Sequence, residues 1–134
     1  MKKNSIFKLK VSAHFSSSHQ LRNYKGKCEN LHGHNFLVEV VVKGSELDKD
    51  VEYLIDFKIL KKMLNEIIEP LDHVHLNNVP PFDKLNPSSE NLSKYIYKEM
   101  EKKLEPYKNV EIEQVGVAEN SGTWAFYMEG ENEL

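Results

Sequence analysis

Three histidines and one cysteine, His19, Cys28, His32 and His34, fall within sixteen residues. Three neutral imidazoles can hold a zinc ion and leave one coordination position open to water or substrate. Imidazole ligands in a non-redox site favour zinc, although iron, copper and nickel accept the same ligand type. Cys28 lies four residues before the His32-Gly33-His34 unit and has two chemical readings. As a fourth ligand it would close the site and make the metal structural. As a free thiol beside the metal it would serve as acid or base, because nearby positive charge stabilises a thiolate.

A second set of reactive side chains lies downstream. Asp72 precedes His73 directly, and a carboxylate can fix a histidine's tautomer and help it shuttle protons. Neighbouring residues often point apart, so the pair need not touch. His75 makes a further His-x-His unit with His73. Glu119 ends an expected strand, where a carboxylate could accept two hydrogen bonds from a guanine-like ring edge. An exposed hairpin glutamate is the plainer alternative. Arg22, Lys25 and Lys27 flank the metal candidates and are suited either to phosphate or simply to solvent.

The elements that must position these groups are legible as patterns. Ile6 to Phe15 alternates, with Phe7, Leu9 and Val11 on one side, which predicts a strand. Ser16 to Lys27 is polar and reads as a long loop, a length more often functional than idle. Asn35 to Lys43 is rich in Phe and Val and predicts a second strand, with His32 and His34 at its entrance. Residues two apart in an extended chain share a face, so both imidazoles can reach one ion. Phe57 to Glu69 spaces Phe57, Leu60, Met63, Leu64, Ile67 and Ile68 as a helix, capped by Asp56 and stopped by Pro70. The proline-bearing stretch from Leu71 to Leu85 predicts irregular chain. Asn86-Pro87 opens a second helix with Pro87 at its first position and Leu92, Tyr95, Ile96 and Leu104 on its apolar stripe. Val110 to Glu119 and Thr123 to Glu129 predict two strands joined by Asn120-Ser121-Gly122. The order is β-β-α-α-β-β, an α+β fold in which two helices cover one face of a four-stranded antiparallel sheet. Its open edges favour oligomerisation.

The bulk composition narrows the field. The 134 residues fit one domain, 1–134, able to bury a core without a disulfide. A single cysteine excludes an intrachain disulfide and points to intracellular chemistry. No apolar run approaches the ~20 residues of a membrane helix, and the N-terminus lacks the apolar stretch of a signal peptide. Net charge is -3 and Arg22 is the only arginine, which argues against sequence-specific DNA binding.

Several segments together resemble the 6-pyruvoyl- and 6-carboxy-tetrahydropterin synthase family. They are FSSSH (15–19), CENLHGHN (28–35), IDF (55–57), LDHVHLN (71–77), NPSSENL (86–92) and Glu119 followed by Tyr127, in family order over nearly the whole chain. The resemblance implies the tunnelling fold, or T-fold, whose sheets join around a trimer into a barrel, two trimers stacking as a hexamer. It implies zinc held by His19, His32 and His34, and Cys28 as a catalytic residue and not a fourth ligand. It implies Asp72 and His73 as further catalytic residues, meeting the cysteine from a neighbouring subunit, and Glu119 as the acid that anchors the pterin. The family commonly has Thr where Asn120 stands. A branch of it replaces the cysteine by glutamate; here Glu29 follows a retained Cys28 and could assist. The implied substrate is 7,8-dihydroneopterin triphosphate, handled in the cytoplasm without nucleic acid or membrane. The compact chain favours the carboxy branch, which serves 7-deazaguanine and queuosine synthesis and releases acetaldehyde, over the pyruvoyl branch. A non-catalytic zinc module and an enzyme cleaving another pterin side chain, such as that of sepiapterin, are the rivals.

Overall fold

The computed structural model describes residues 3–26 and 29–130; Cys28 lies outside the described residues. Strands β1 (Phe7–His19), β2 (His32–Gly44), β3 (Glu111–Asn120) and β4 (Thr123–Tyr127) form one antiparallel sheet in the order β1-β2-β3-β4. Helices α1 (Phe57–Ile68) and α2 (Ser89–Lys103) lie between β2 and β3 in sequence, which gives the β-β-α-α-β-β order.

Period-2 burial in β2 sets the core. Phe36, Val38, Val40 and Val42 are fully buried, and β-branched side chains pack well on a pleated surface. Against them α1 sets Leu60, Met63, Leu64, Ile67 and Ile68, and α2 sets Leu92, Ile96, Tyr97 and Met100. Asp56 caps α1 by accepting the Lys58 N–H at 2.8 Å, as its position before the apolar spacing predicts. Phe57 does not join the stripe; it is 55% exposed at the first helical turn. In α2 the cap is Ser88, whose hydroxyl accepts the Asn91 N–H, so Pro87 stands before the helix and not at its first position. The Pro87 carbonyl has another use, given below. The stretch between the helices carries two short 3₁₀ turns, Glu69–Leu71 and Leu76–Asn78, in otherwise irregular chain.

The main departure from the sequence pattern is at β1. The expected loop from Ser16 is strand as far as His19, in unbroken register from Phe7 opposite Gly44 to His19 opposite His32. Ser17 and His19 continue the buried parity of Val11 and Phe15, and both are buried. Serines conceal this because a strand is usually read from its apolar alternation. Residues 72–75 then run along the outer edge of β1. Ser16 N–H donates to Asp72 Oδ1 at 2.9 Å, Ser18 N–H to the Val74 carbonyl at 3.1 Å, and His73 N–H to the Ser16 carbonyl at 2.6 Å.

Candidate metal centre

The three histidines share the inner face of the sheet at one end of the β1–β2 pair. His19 faces His32 across the register, and His34 stands two residues further along β2, on the same parity as Phe36. The ring centroids are 4.6 Å apart for His19–His32 and His32–His34, and 5.3 Å for His19–His34. Phe36 forms the floor, edge-on to His19 at 5.1 Å and to His34 at 5.8 Å, and is itself stacked on Phe15.

Glu119 completes the group. The pairing of β3 with β4 shifts register between Ala118 and Asn120, leaving Glu119 as the bulged residue. Bulges re-aim a side chain. Here the carboxylate reaches into the histidines, with Oε1 3.1 Å from His19 Nε2 and Oε2 3.4 Å from His34 Nε2. One ligand atom from each of His19, His32, His34 and Glu119 lies within 4.8 Å of all the others.

Hydrogen bonds behind the rings decide what these atoms are. His19 Nδ1 is 2.8 Å from the Pro87 carbonyl, and His32 Nδ1 is 2.8 Å from the Asn30 carbonyl. A carbonyl only accepts, so each Nδ1 carries the hydrogen and each Nε2 turns a lone pair toward the centre. Burial pushes the His19 pKa down, against the opposing pull of the Pro87 carbonyl and the Glu119 charge, so the ring is neutral near pH 7. The short approach of Glu119 to His19 is therefore not an ion pair. The His19 lone pair faces carboxylate oxygen, and among the described residues the buried His19 Nε2 and His34 Nε2 have no hydrogen-bond partner. Leaving such atoms unsatisfied costs about 1–3 kcal/mol each. A divalent cation at the centre would satisfy them, and three imidazoles suit zinc with a further position open.

The other sequence candidates separate clearly. Asp72 and His73 do interact: Asp72 Oδ2 is 3.0 Å from His73 Nδ1, while Oδ1 takes the Ser16 N–H. The Ser16 N–H, helped by His73, holds the Asp72 carboxyl below the usual carboxylate range. His73 has a left-handed backbone (φ 56) and its side chain is 80% exposed, outside the metal group. Strained conformations of this kind cluster at active sites. His75 Nδ1 is 3.0 Å from the Ser18 hydroxyl, and among the described residues neither His73 nor His75 belongs to the metal group. Arg22 does not face phosphate; its guanidinium donates to the carbonyls of Leu85, Asn77 and Phe82. Glu29, beside Cys28 in sequence, accepts the Leu21 N–H at 3.3 Å and stands 3.6 Å from His32 Nδ1. Sequence reasoning missed the Pro87 and Asn30 carbonyls, since a backbone acceptor leaves no signature in side-chain type.

A family profile described as 6-pyruvoyl tetrahydropterin synthase matches residues 8–130. The chain belongs to this family. It is therefore an enzyme of the pterin synthase type, a lyase family. An Archaeoglobus fulgidus protein provisionally named 6-carboxy-5,6,7,8-tetrahydropterin synthase is 36% identical over 115 residues, 86% of this chain and 90% of that protein. Proteins named 6-pyruvoyl tetrahydrobiopterin synthase match at 32% and 38% identity. A Pyrococcus furiosus dihydroneopterin monophosphate aldolase is 41% identical over 76 residues, 57% of this chain and 60% of its own length. Caenorhabditis elegans 6-pyruvoyl tetrahydropterin synthase superposes with a TM-score of 0.80 over 97% of this chain and 100% of its own, at 24% identity, and shows the same fold. Among the described residues no helix is long and apolar enough to cross a membrane.

Proposed function

We propose that the chain converts 7,8-dihydroneopterin triphosphate to 6-carboxy-5,6,7,8-tetrahydropterin, releasing acetaldehyde and triphosphate. The observation that carries this reading is the convergence of three imidazole nitrogens and the Glu119 carboxylate on one point, in a chain of this family. His19, His32 and His34 would hold the zinc ion. Bound there, it supplies positive charge that acidifies side-chain hydroxyls and stabilises the anion left by carbon-bound protons.

The rest falls to the protein. Cys28 takes a carbon-bound proton as a thiolate. Asp72 fixes the His73 tautomer, so that Nε2 is the nitrogen free to carry protons to and from the hydroxyls. Glu119, whose side chain is 34% exposed, can receive the donor edge of the pterin ring and set the side chain over the metal. The exposure of His73 supports a site completed by a neighbouring subunit. The strand directions support the ring that would bring that subunit. β1 and β4 run oppositely, so a copy related by rotation about an axis along the strands presents its β1 antiparallel to this β4. Three copies can then close one antiparallel barrel, and two such trimers make the hexamer.

Incubating the purified, zinc-loaded protein with dihydroneopterin triphosphate is expected to yield acetaldehyde. A pyruvoyl product without acetaldehyde would move the chain to the other branch. Cys28→Ala is expected to keep its zinc and lose turnover; loss of zinc would make the sulfur a ligand. A second reading, retro-aldol cleavage of a dihydroneopterin side chain, is favoured by the Glu29 carboxylate standing beside His32, where it could act as the base. Glu29→Gln separates the two, since it would abolish aldolase turnover and leave acetaldehyde release measurable.

A further inference from the structure

The geometry points to Asn77 and Asn86 as positioning residues for the metal ligand His19. In β1 the even-numbered residues turn their backbone polar groups away from β2. Ser16 has both of its groups taken by Asp72 and His73, and Ser18 N–H goes to the Val74 carbonyl. Beyond the strand end the same alternation continues without a strand to receive it. Side-chain amides take over. Gln20 N–H donates to Asn77 Oδ1 at 3.0 Å, and Asn77 Nδ2 donates back to the Gln20 carbonyl at 2.8 Å. Arg22 N–H donates to Asn86 Oδ1 at 2.8 Å, and Asn86 Nδ2 donates back to the Arg22 carbonyl at 2.9 Å. Each asparagine thus imitates one residue of a neighbouring strand. A side-chain carboxamide has the same donor and acceptor pair as a peptide unit.

On its other side the segment is held by Glu29, whose N–H donates to the Leu21 carbonyl at 2.8 Å and whose Oε1 accepts the Leu21 N–H. All six backbone polar groups of residues 20–22 are therefore engaged, and none by a regular strand. The Arg22 guanidinium closes the far side on the carbonyls of Asn77, Phe82 and Leu85. Asn91 Nδ2 donates to the Asn86 carbonyl at 2.9 Å and ties that residue to the start of α2.

His19 precedes the first clamped residue, and Pro87 follows Asn86. Fixing Arg22 to Asn86 therefore also fixes the carbonyl that receives His19 Nδ1–H. Residues 20–22 are only partly buried, and without these bonds that ring could swing. Partners one step behind a metal ligand typically carry 10- to 100-fold in metal affinity. The two asparagines act at one further remove, through backbone. This inference rests on the reading of the histidine group as a metal site.

The test is zinc affinity, by competition with a chromophoric chelator, together with the visible spectrum of the cobalt(II)-loaded protein and the melting temperature of the metal-free protein. Asn86→Ala is expected to weaken zinc about 10-fold or more and to alter the cobalt bands. Asn77→Ala is expected to do the same to a smaller degree, and it decides the matter if Asn86→Ala does not fold. Leu64→Val, in the core away from the clamp, is expected to lower the melting temperature with affinity and spectrum unchanged. Wild-type affinity and spectrum in both asparagine variants would overturn the clamp while leaving the metal site standing. A loss of affinity that simply tracks melting temperature across all three variants would also overturn it. A wild-type chain that binds no zinc would instead remove the metal site, and the clamp with it.

Discussion

Asp72 shows how much one carboxylate can be asked to do. One oxygen holds the β1 backbone through Ser16 N–H, and the other holds the His73 ring. The first bond is the larger cause of its lowered pKa. A carboxyl whose folded pKa lies below its unfolded value binds fewer protons when folded. The stability it contributes is complete above the unfolded value, about 3.9, and fades as pH falls through the folded one. Carbon-detected NMR of the Asp72 carboxyl is therefore expected to give a titration midpoint below the ordinary aspartate value. A midpoint at or above that value would mean that the Ser16 bond is not made in solution. Adjacency in sequence does not reveal this dyad, because neighbours in extended chain diverge. It forms where a left-handed backbone at His73 brings the ring back to its own neighbour.

The β1–β2 pair is the element that makes the site. It places His19 against His32 by register and His34 above Phe36 by parity. The apolar alternation of β2, the α1 spacing and the Asp56 cap are legible in the chain, since each rests on side-chain type at a fixed period. The strand half from Ser16 to His19 is not, because its buried positions are a serine and a histidine whose partners lie more than fifty residues away. Nor is the bulge that aims Glu119, since it depends on how β3 meets β4. Phe36 carries the element's packing and the site's floor together. Phe36→Ala is expected to cost about 3–5 kcal/mol in chemical denaturation. It is also expected to weaken zinc, because the cavity beneath His19 and His34 lets both rings sink. A stability loss of that size with unchanged metal affinity would mean that the strands alone hold the rings.

At the scale of the whole molecule, the β1 edge is only partly covered among the described residues. Its second half is taken by residues 72–75, and the Ser12 carbonyl is taken by the Lys61 ammonium. By the same alternation Lys8 and Lys10 turn their backbone groups outward, and exposed edges of this kind invite pairing. The short β4, at the opposite edge, presents the matching antiparallel direction. A β1-to-β4 contact is head-to-tail, so it must close into a ring or continue without end. The sheet's accumulated twist favours closure. Lys10→Pro tests this directly. Proline at an outward-facing position removes no β1–β2 hydrogen bond and is tolerated on an edge strand, but it blocks an incoming one. Light scattering on the wild-type chain is expected to give six chain masses. Lys10→Pro is expected to give smaller species with the same zinc content, because all four metal-group residues come from a single chain. It should also lose turnover, because the exposed His73 would no longer meet a neighbour's substrate. A proline variant that stays assembled would place the subunit contact somewhere other than this edge.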